Sequence, residues 1–168
     1  MEFDTPEAMK KYLKEHPGAD KSKHKVVETQ HDEKKMRAVE NSADPGEDAY
    51  DLVRKGLAPA EWAMKVIEKD GDPEAAYSLW AHGNYAPREW AEKVVEKATK
   101  GEPAETAYSM LVPGGSSIAW VKKVVENTEL GNPAFIAEKL HRGGYVRSDW
   151  VVKIKDKMWI KKHGDPRK

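Results

Sequence analysis

Trp90-Ala91-Glu92-Lys93-Val94-Val95-Glu96 and Trp120-Val121-Lys122-Lys123-Val124-Val125-Glu126 are two copies of one pattern, and the pattern recurs. The chain aligns on Trp62, Trp90, Trp120 and Trp150, at spacings of 28, 30 and 30 residues. One residue after each Trp stands Ala63, Ala91, Val121 or Val151; three after stands Lys65, Lys93, Lys123 or Lys153. Four after come Val66, Val94, Val124 and Ile154, and six after come Glu68, Glu96, Glu126 and Asp156. On a helix of about 3.6 residues per turn, the Trp and the positions one, four and five beyond it share an apolar face. The Lys and the acid point away from that face, three residues apart, where they pair weakly (about 0.2–0.5 kcal/mol).

A second helix precedes each Trp helix. It is marked by Ala49-Tyr50, Ala76-Tyr77, Ala107-Tyr108 and Ala137-Glu138, and six residues later by Gly56, Gly83, Gly114 or Gly144. Glycine at that place predicts a helix end in the left-handed conformation. Each unit opens on a turn: Ala43-Asp44-Pro45, Gly71-Asp72-Pro73, Gly101-Glu102-Pro103 and Gly131-Asn132-Pro133. Pro59 and Pro87 stand where a first helical turn is expected to begin.

The predicted fold is all-α: tandem helical hairpins of about 30 residues forming a short α-solenoid. The units run 43–70, 71–100, 101–130 and 131–163. Residues 1–42 read as a degenerate capping unit with a polar insert near 19–30. Its second half, Arg37-Ala38-Val39-Glu40-Asn41, matches Lys123-Val124-Val125-Glu126-Asn127 with Lys34 in the Trp position. Upstream, Thr5-Pro6-Glu7 opens a helix carrying Met9, Tyr12 and Leu13 that Pro17-Gly18 stops. A polar end unit suits a solenoid, whose terminal face meets water. Residues 164–168 form a basic tail that begins like a further unit, Gly164-Asp165-Pro166.

Composition agrees with a thin, aromatic-rich core. Leu, Ile, Val and Phe number 28 of 168 residues, but six Trp and six Tyr add large apolar surfaces, and 29 basic against 29 acidic side chains leave no net charge. The predicted core comprises Trp62, Trp90, Trp120 and Trp150 with Tyr50, Tyr77 and Tyr108. Trp80 and Trp159 fall off the pattern, as gap-fillers or contact sites. With no cysteine, disulfides, thiolate metal sites and cysteine nucleophiles are excluded. There is no apolar leader and no apolar run of membrane-spanning length, so the expected location is cytoplasmic or virion-associated, without a signal peptide.

Catalytic, cofactor and metal sites are not expected. The histidines His16, His24, His31, His82, His141 and His163 form no zinc spacing. Pro113-Gly114-Gly115-Ser116-Ser117 lacks the Lys-Ser/Thr ending of a phosphate loop and reads as an interhelix loop, with Ser116 or Ser117 capping the next helix. The recurring carboxylates sit at exposed positions, which do not shift a pKa toward acid–base work.

The candidate binding residues are the row Lys65, Lys93, Lys123 and Lys153, with Arg142, Arg147, Lys157, Lys161 and Lys162 at a basic end. Residues 41–140 carry 11 basic and 17 acidic side chains, whereas the last 28 residues carry nine and three. That dipolar layout suits an acidic protein, a nucleic acid or the acidic face of another copy. The first reading is therefore a non-enzymatic scaffold for protein contact or self-assembly. The alternative is a nucleic-acid-binding repeat protein that uses the Lys row and the basic end. No membrane or small-molecule partner is expected.

The hairpin plan over 43–163 resembles helical-repeat proteins such as tetratricopeptide and HEAT arrays, with a shorter period. Leu52-Val53-Arg54-Lys55-Gly56-Leu57-Ala58-Pro59-Ala60-Glu61 resembles units of mitochondrial transcription terminator repeats, and the paired loop glycines resemble transcription-activator-like effector repeats. Both of these imply nucleic-acid binding. The segment from Phe3 to His24 is similar to a leader of uncharacterised phage and environmental bacterial proteins, which implies a phage-associated role.

Overall fold

Four prolines, Pro45, Pro73, Pro103 and Pro133, each occupy the first turn of a helix, where a missing N–H costs nothing. In the computed structural model, which describes residues 2–3, 11, 14, 25–26, 31–112 and 115–167, they start the first helix of each of four successive helical pairs. The helices of 31–167 are α1 (Glu33–Glu40), α2 (Pro45–Arg54), α3 (Ala60–Asp70), α4 (Pro73–Ala81) and α5 (Arg88–Glu96), then α6 (Pro103–Leu111), α7 (Ile118–Asn127), α8 (Pro133–Arg142) and α9 (Ser148–His163). Apart from these, Glu2–Phe3 pairs in parallel with Lys25–Val26. The expected helix with Met9, Tyr12 and Leu13, His24, and the Pro113-Gly114 pair lie outside the described residues.

Side chains from the preceding loop satisfy the first-turn N–H groups of several helices. Asp72 accepts from the N–H groups of Glu74 and Ala75 at 2.9 and 3.0 Å, Ser117 from Trp120 at 3.2 Å, and Asn132 from Phe135 at 3.1 Å. Ser117 is thus the cap of α7, while the Ser116 hydroxyl donates to Glu92 at 2.7 Å. Pro59 and Pro87 take the cap position itself in extended conformation, one residue before the expected place.

The first helices α2 and α8 end alike. Leu57 N–H closes on the Leu52 carbonyl and Tyr145 N–H on that of Leu140, each preceded by a left-handed glycine, Gly56 (φ 70°) or Gly144 (φ 77°). After α4 the closing bond runs from Tyr85 N–H to the Leu79 carbonyl, one residue further along. The left-handed residue is accordingly Asn84 (φ 53°) and not the expected Gly83. The conformation follows the residue just before the closing N–H, so a loop one residue longer moves it from Gly to Asn, the non-glycine residue that tolerates it best.

Consecutive helices pack as α2 on α3, α4 on α5, α6 on α7 and α8 on α9, and the first helices also pack in series, α2 on α4, α4 on α6 and α6 on α8. The alanines of the first helices explain how these approach: Ala49, Ala76, Ala107 and Ala137 are wholly buried. The second helices contribute Ala63, Ala91 and Val121, which are also wholly buried, and Val151. Between the rows lie Ile67, Leu79, Val95, Met110, Val125, Ile136 and Leu140.

Trp90 and Trp150 are buried; Trp62, Trp120, Tyr50, Tyr77 and Tyr108 are half-buried and pack against the core. Trp80 is a gap-filler. Its ring stands edge-on to Tyr77 at 5.9 Å and covers Gly115, where a side-chain carbon would come within 2.5 Å of it. Trp159 lies exposed and stacks on His163.

Trp90 fills a site bounded by two helical pairs, whereas Lys93, one turn away, is exposed. Trp90→Ala should cost about 3–5 kcal/mol, and Lys93→Ala no more than about 0.5 kcal/mol. Urea denaturation of both variants measures the difference, and equal midpoints would refute the placement of Trp90 in the core.

Candidate functional site

Three of the acids that stand six residues after a Trp, and Glu40 with them, accept a hydrogen bond that their spacing does not suggest. The Trp62 indole N–H donates to Glu40 at 2.9 Å, Trp90 to Glu68, Trp120 to Glu96 at 2.8 Å, and Trp150 to Glu126 at 2.5 Å. Each acid lies at the end of one Trp helix or of α1, and the indole belongs to the next Trp helix along the chain. Glu40 explains what α1 retains. Lys34 stands six residues before Glu40, where the later acids have a Trp, and Glu40 accepts from Trp62 as they accept from theirs. Sequence reasoning found both columns and missed their partnership, because the pairing runs 22 to 24 residues ahead, across a junction, and not within one helix.

The Lys row shows the same displacement. Lys65, Lys93, Lys123 and Lys153 are all exposed. Lys123 pairs at 2.8 Å with Glu96 of the preceding Trp helix, not with the acid three residues on. Lys65, Lys93 and Lys153 make no ion pair among the described residues. Shallow grooves run between successive Trp helices. One is lined by Glu40, Trp62, Lys65 and Lys69, the next by Glu68, Trp90, Lys93 and Lys97, and another by Glu96, Lys123 and Asn127. Each holds acid and base together, so the row does not present an unbroken cationic track.

The basic end is likewise interleaved with acids. Lys155 and Arg142 both reach Glu138, Lys161 reaches Glu129, Arg147 lies 3.7 Å from Asp149, and Lys157 donates to the Glu126 carbonyl. Lys162 has no acidic partner among the described residues. One groove gathers three cations of which only Arg147 meets an acid among the described residues: Lys122 stands over the Trp150 ring at 5.4 Å, and Lys122, Arg147 and Lys153 line the groove with Tyr145 and Asp149.

A second polar centre went unread in the sequence. Asp44, Asp70 and Asp72 bring their carboxylates within 4.8 Å of one another. The Lys100 ammonium sits among them at 2.9, 2.7 and 3.6 Å. Asp70 also accepts from Gly46 N–H at 3.0 Å, and Asp72 caps α4. Burial alone would lower the Lys100 pKa, but hydrogen bonds from Lys100 to Asp70 and Asp44 outweigh it and the net shift is upward. A raised lysine stabilises the fold throughout neutral pH and stops doing so only as pH rises through its folded value. The signal was the acid before proline, Asp44-Pro45 and Asp72-Pro73, which marks two unit starts that one lysine can bridge. With an internal ammonium already in place, the cluster acts as a staple between hairpins.

Every carboxylate with a displaced pKa (Asp32, Asp51, Glu89, Glu96, Glu138 and Asp165) is displaced downward. For Glu96 the Lys123 ammonium is the main cause; partial burial opposes it, and the Trp120 indole adds to it. Downward shifts hold carboxylates ionised, the state of an acceptor and not of a proton donor. Among the described residues no helix is long and apolar enough to cross a membrane. No known protein family, curated protein or solved structure matches the chain.

The indole–carboxylate bonds give two expectations. Glu68→Ala leaves the Trp90 N–H without its acceptor and should cost about 1–2 kcal/mol, while Glu68→Gln keeps an acceptor and should cost less than half as much, both read from urea midpoints. Glu96 titrates below the ordinary 4.5 when folded, so its contribution is present above that value and fades as pH falls through the folded pKa. Glu96→Gln should therefore flatten the acid limb of a plot of melting temperature against pH; an unchanged limb would remove Glu96 from the account.

Proposed function

We propose that residues 43–163 form a short α-solenoid of four hairpin units of about 30 residues, capped by α1, and that it works as a non-enzymatic scaffold for protein contact or self-assembly. The observation that carries this reading is the use of one indole–carboxylate bond at four successive junctions. Residue types that elsewhere serve chemistry or stacking are committed here to joining one hairpin to the next. What remains for a partner is the outer surface, and its apolar part is uneven. Of the six large apolar side chains exposed among the described residues, Phe135, Tyr145, Val152 and Trp159 all fall within 133–163. Exposed aromatic residues gathered at one end favour a protein contact there.

Nucleic-acid binding remains the second reading, on the strength of the Lys122, Arg147 and Lys153 groove. Its weakness is that most other cations of the basic end already touch acids of this chain, and a phosphate backbone would have to displace them.

Light-scattering mass, measured on the protein alone and with a mixed nucleic-acid pool at low and high salt, separates the two. The scaffold reading expects a mass indifferent to nucleic acid. A gain with nucleic acid that disappears as salt rises would overturn it in favour of the second.

A further inference from the structure

Five acids stand in the junction column, Glu40, Glu68, Glu96, Glu126 and Asp156, and among the described residues the first four accept an indole N–H. Asp156 has no partner among the described residues, and neither does the indole N–H of Trp159, three residues further along the same helix. Val152, Asp156, Trp159 and His163 are spaced four, three and four residues apart, so they form one stripe along α9. Val152 and Trp159 are 55% and 51% exposed. This is the side of the Trp helix that meets the next hairpin at the earlier junctions. Lys122, the counterpart of Val152, reaches the ring of Trp150, and Glu126, the counterpart of Asp156, accepts its N–H.

A further hairpin of the ordinary kind does not fit this side. The position five residues after the Trp is filled by Ile67, Val95 and Val125 in the earlier helices, each essentially buried. In α9 it is Lys155, exposed and bound to Glu138. Docking a Trp helix in the usual place would bury that ammonium and break its ion pair, a costly exchange. α9 also has 16 residues against 11, 9 and 10 in α3, α5 and α7, and the added turns carry Trp159 and His163.

We propose that this stripe of α9 is a self-association surface, and that its occupant is α9 of a second copy, packed antiparallel about a two-fold axis. The stripe is complementary to itself. In an antiparallel pair that sets Asp156 opposite Trp159 of the second copy, the same register sets Val152 opposite His163. The two-fold axis then repeats both contacts. Each Asp156 accepts the indole N–H of the other chain's Trp159, which is the bond already made at four junctions within the chain. Lys155 and Lys162 fall along one edge, where their ammonium groups stay in water. Because that edge brings like charges together, added salt leaves the dimer intact or strengthens it, opposite to its effect on nucleic-acid binding. A contact between two short helices is small, so association is expected at about 10 µM to 1 mM.

This inference rests on the scaffold reading and narrows it to one surface. Sedimentation equilibrium over that concentration range should show monomer passing to dimer and no further. Trp159→Ala and Asp156→Arg should each weaken association at least about tenfold without altering the circular dichroism of the monomer, and Tyr85→Ser, at an exposed aromatic elsewhere, should leave it unchanged. Register has its own readout, since the chain has no cysteine. A mixture of Val152→Cys and His163→Cys proteins should give a disulfide-linked heterodimer on mild oxidation. Neither variant should cross-link alone, because like positions lie about 16 Å apart along the pair. A wild-type protein monomeric throughout, or a mass growing past the dimer, would overturn the two-fold pairing; the monomer would leave a separate protein partner for the scaffold. A dimer insensitive to both α9 substitutions would overturn the surface while leaving self-assembly in place.

Discussion

An indole ring packed between helices carries its polar N–H toward the junction, and where burial is deepest, at Trp90 and Trp150, that N–H must find an acceptor or cost free energy. In this protein the acceptor always comes from the preceding helix of the same kind. The carboxylate at the end of one Trp helix, or of α1, receives the indole of the next. Much else follows from that geometry. Each bond brings the start of one Trp helix to the end of the preceding one, and the first helices between them pack in series, α2 on α4, α4 on α6 and α6 on α8. They can stack closely because Ala49, Ala76, Ala107 and Ala137 offer no more than a methyl group at the crossing points. At one junction a lysine joins the bond: the Lys123 ammonium lowers the pKa of Glu96, with the Trp120 indole adding to it.

The Lys100 centre answers a different constraint. The turns that begin α2 and α4 and the end of α3 bring three aspartates together, and three like charges within 4.8 Å repel strongly. A lysine from the link before α6 resolves the repulsion and at the same time ties the turn of one hairpin to the start of another. The arrangement occurs once. The corresponding turns further along carry Glu102 and Asn132, which have one charge and none, and a second ammonium has nothing comparable to neutralise.

What could be read from the sequence was whatever repeats in place. The Trp, Ala and Pro positions of 43–163 identify helices and their apolar faces, because burial imposes the same residue type at the same spacing. Direction across a junction could not be read so easily. Glu68 stands three residues from Lys65 on its own helix and 22 from Trp90, and local spacing favours the lysine, whereas the fold gives Glu68 to the tryptophan. Asn84 was missed for a related reason. Gly83 keeps the column, but the conformation is set by where the closing hydrogen bond lands, and one added loop residue moves that place without moving the glycine. Trp80 had no column to identify it, and only the bare backbone of Gly115 beneath its ring explains its position.

A chain joined by a directional bond has two unlike ends. At one end an acid is needed without a tryptophan of its own, and α1 supplies it: Lys34 stands in the Trp position, Val39 is buried, and Glu40 faces Trp62. In α9 the acid Asp156 accepts from no indole among the described residues. If burial alone joined the hairpins, both ends would be matters of covering apolar surface, and any polar helix would serve. Because the join also uses one donor and one acceptor, α9 carries a matching pair in the exposed Asp156 and the exposed Trp159, three residues apart on one helix. Donor and acceptor on one rigid element cannot satisfy each other, but two such elements facing in opposite directions can. In the two-fold pairing proposed above, the bond made between Trp helices within the chain is made again, with the same chemistry, between two chains.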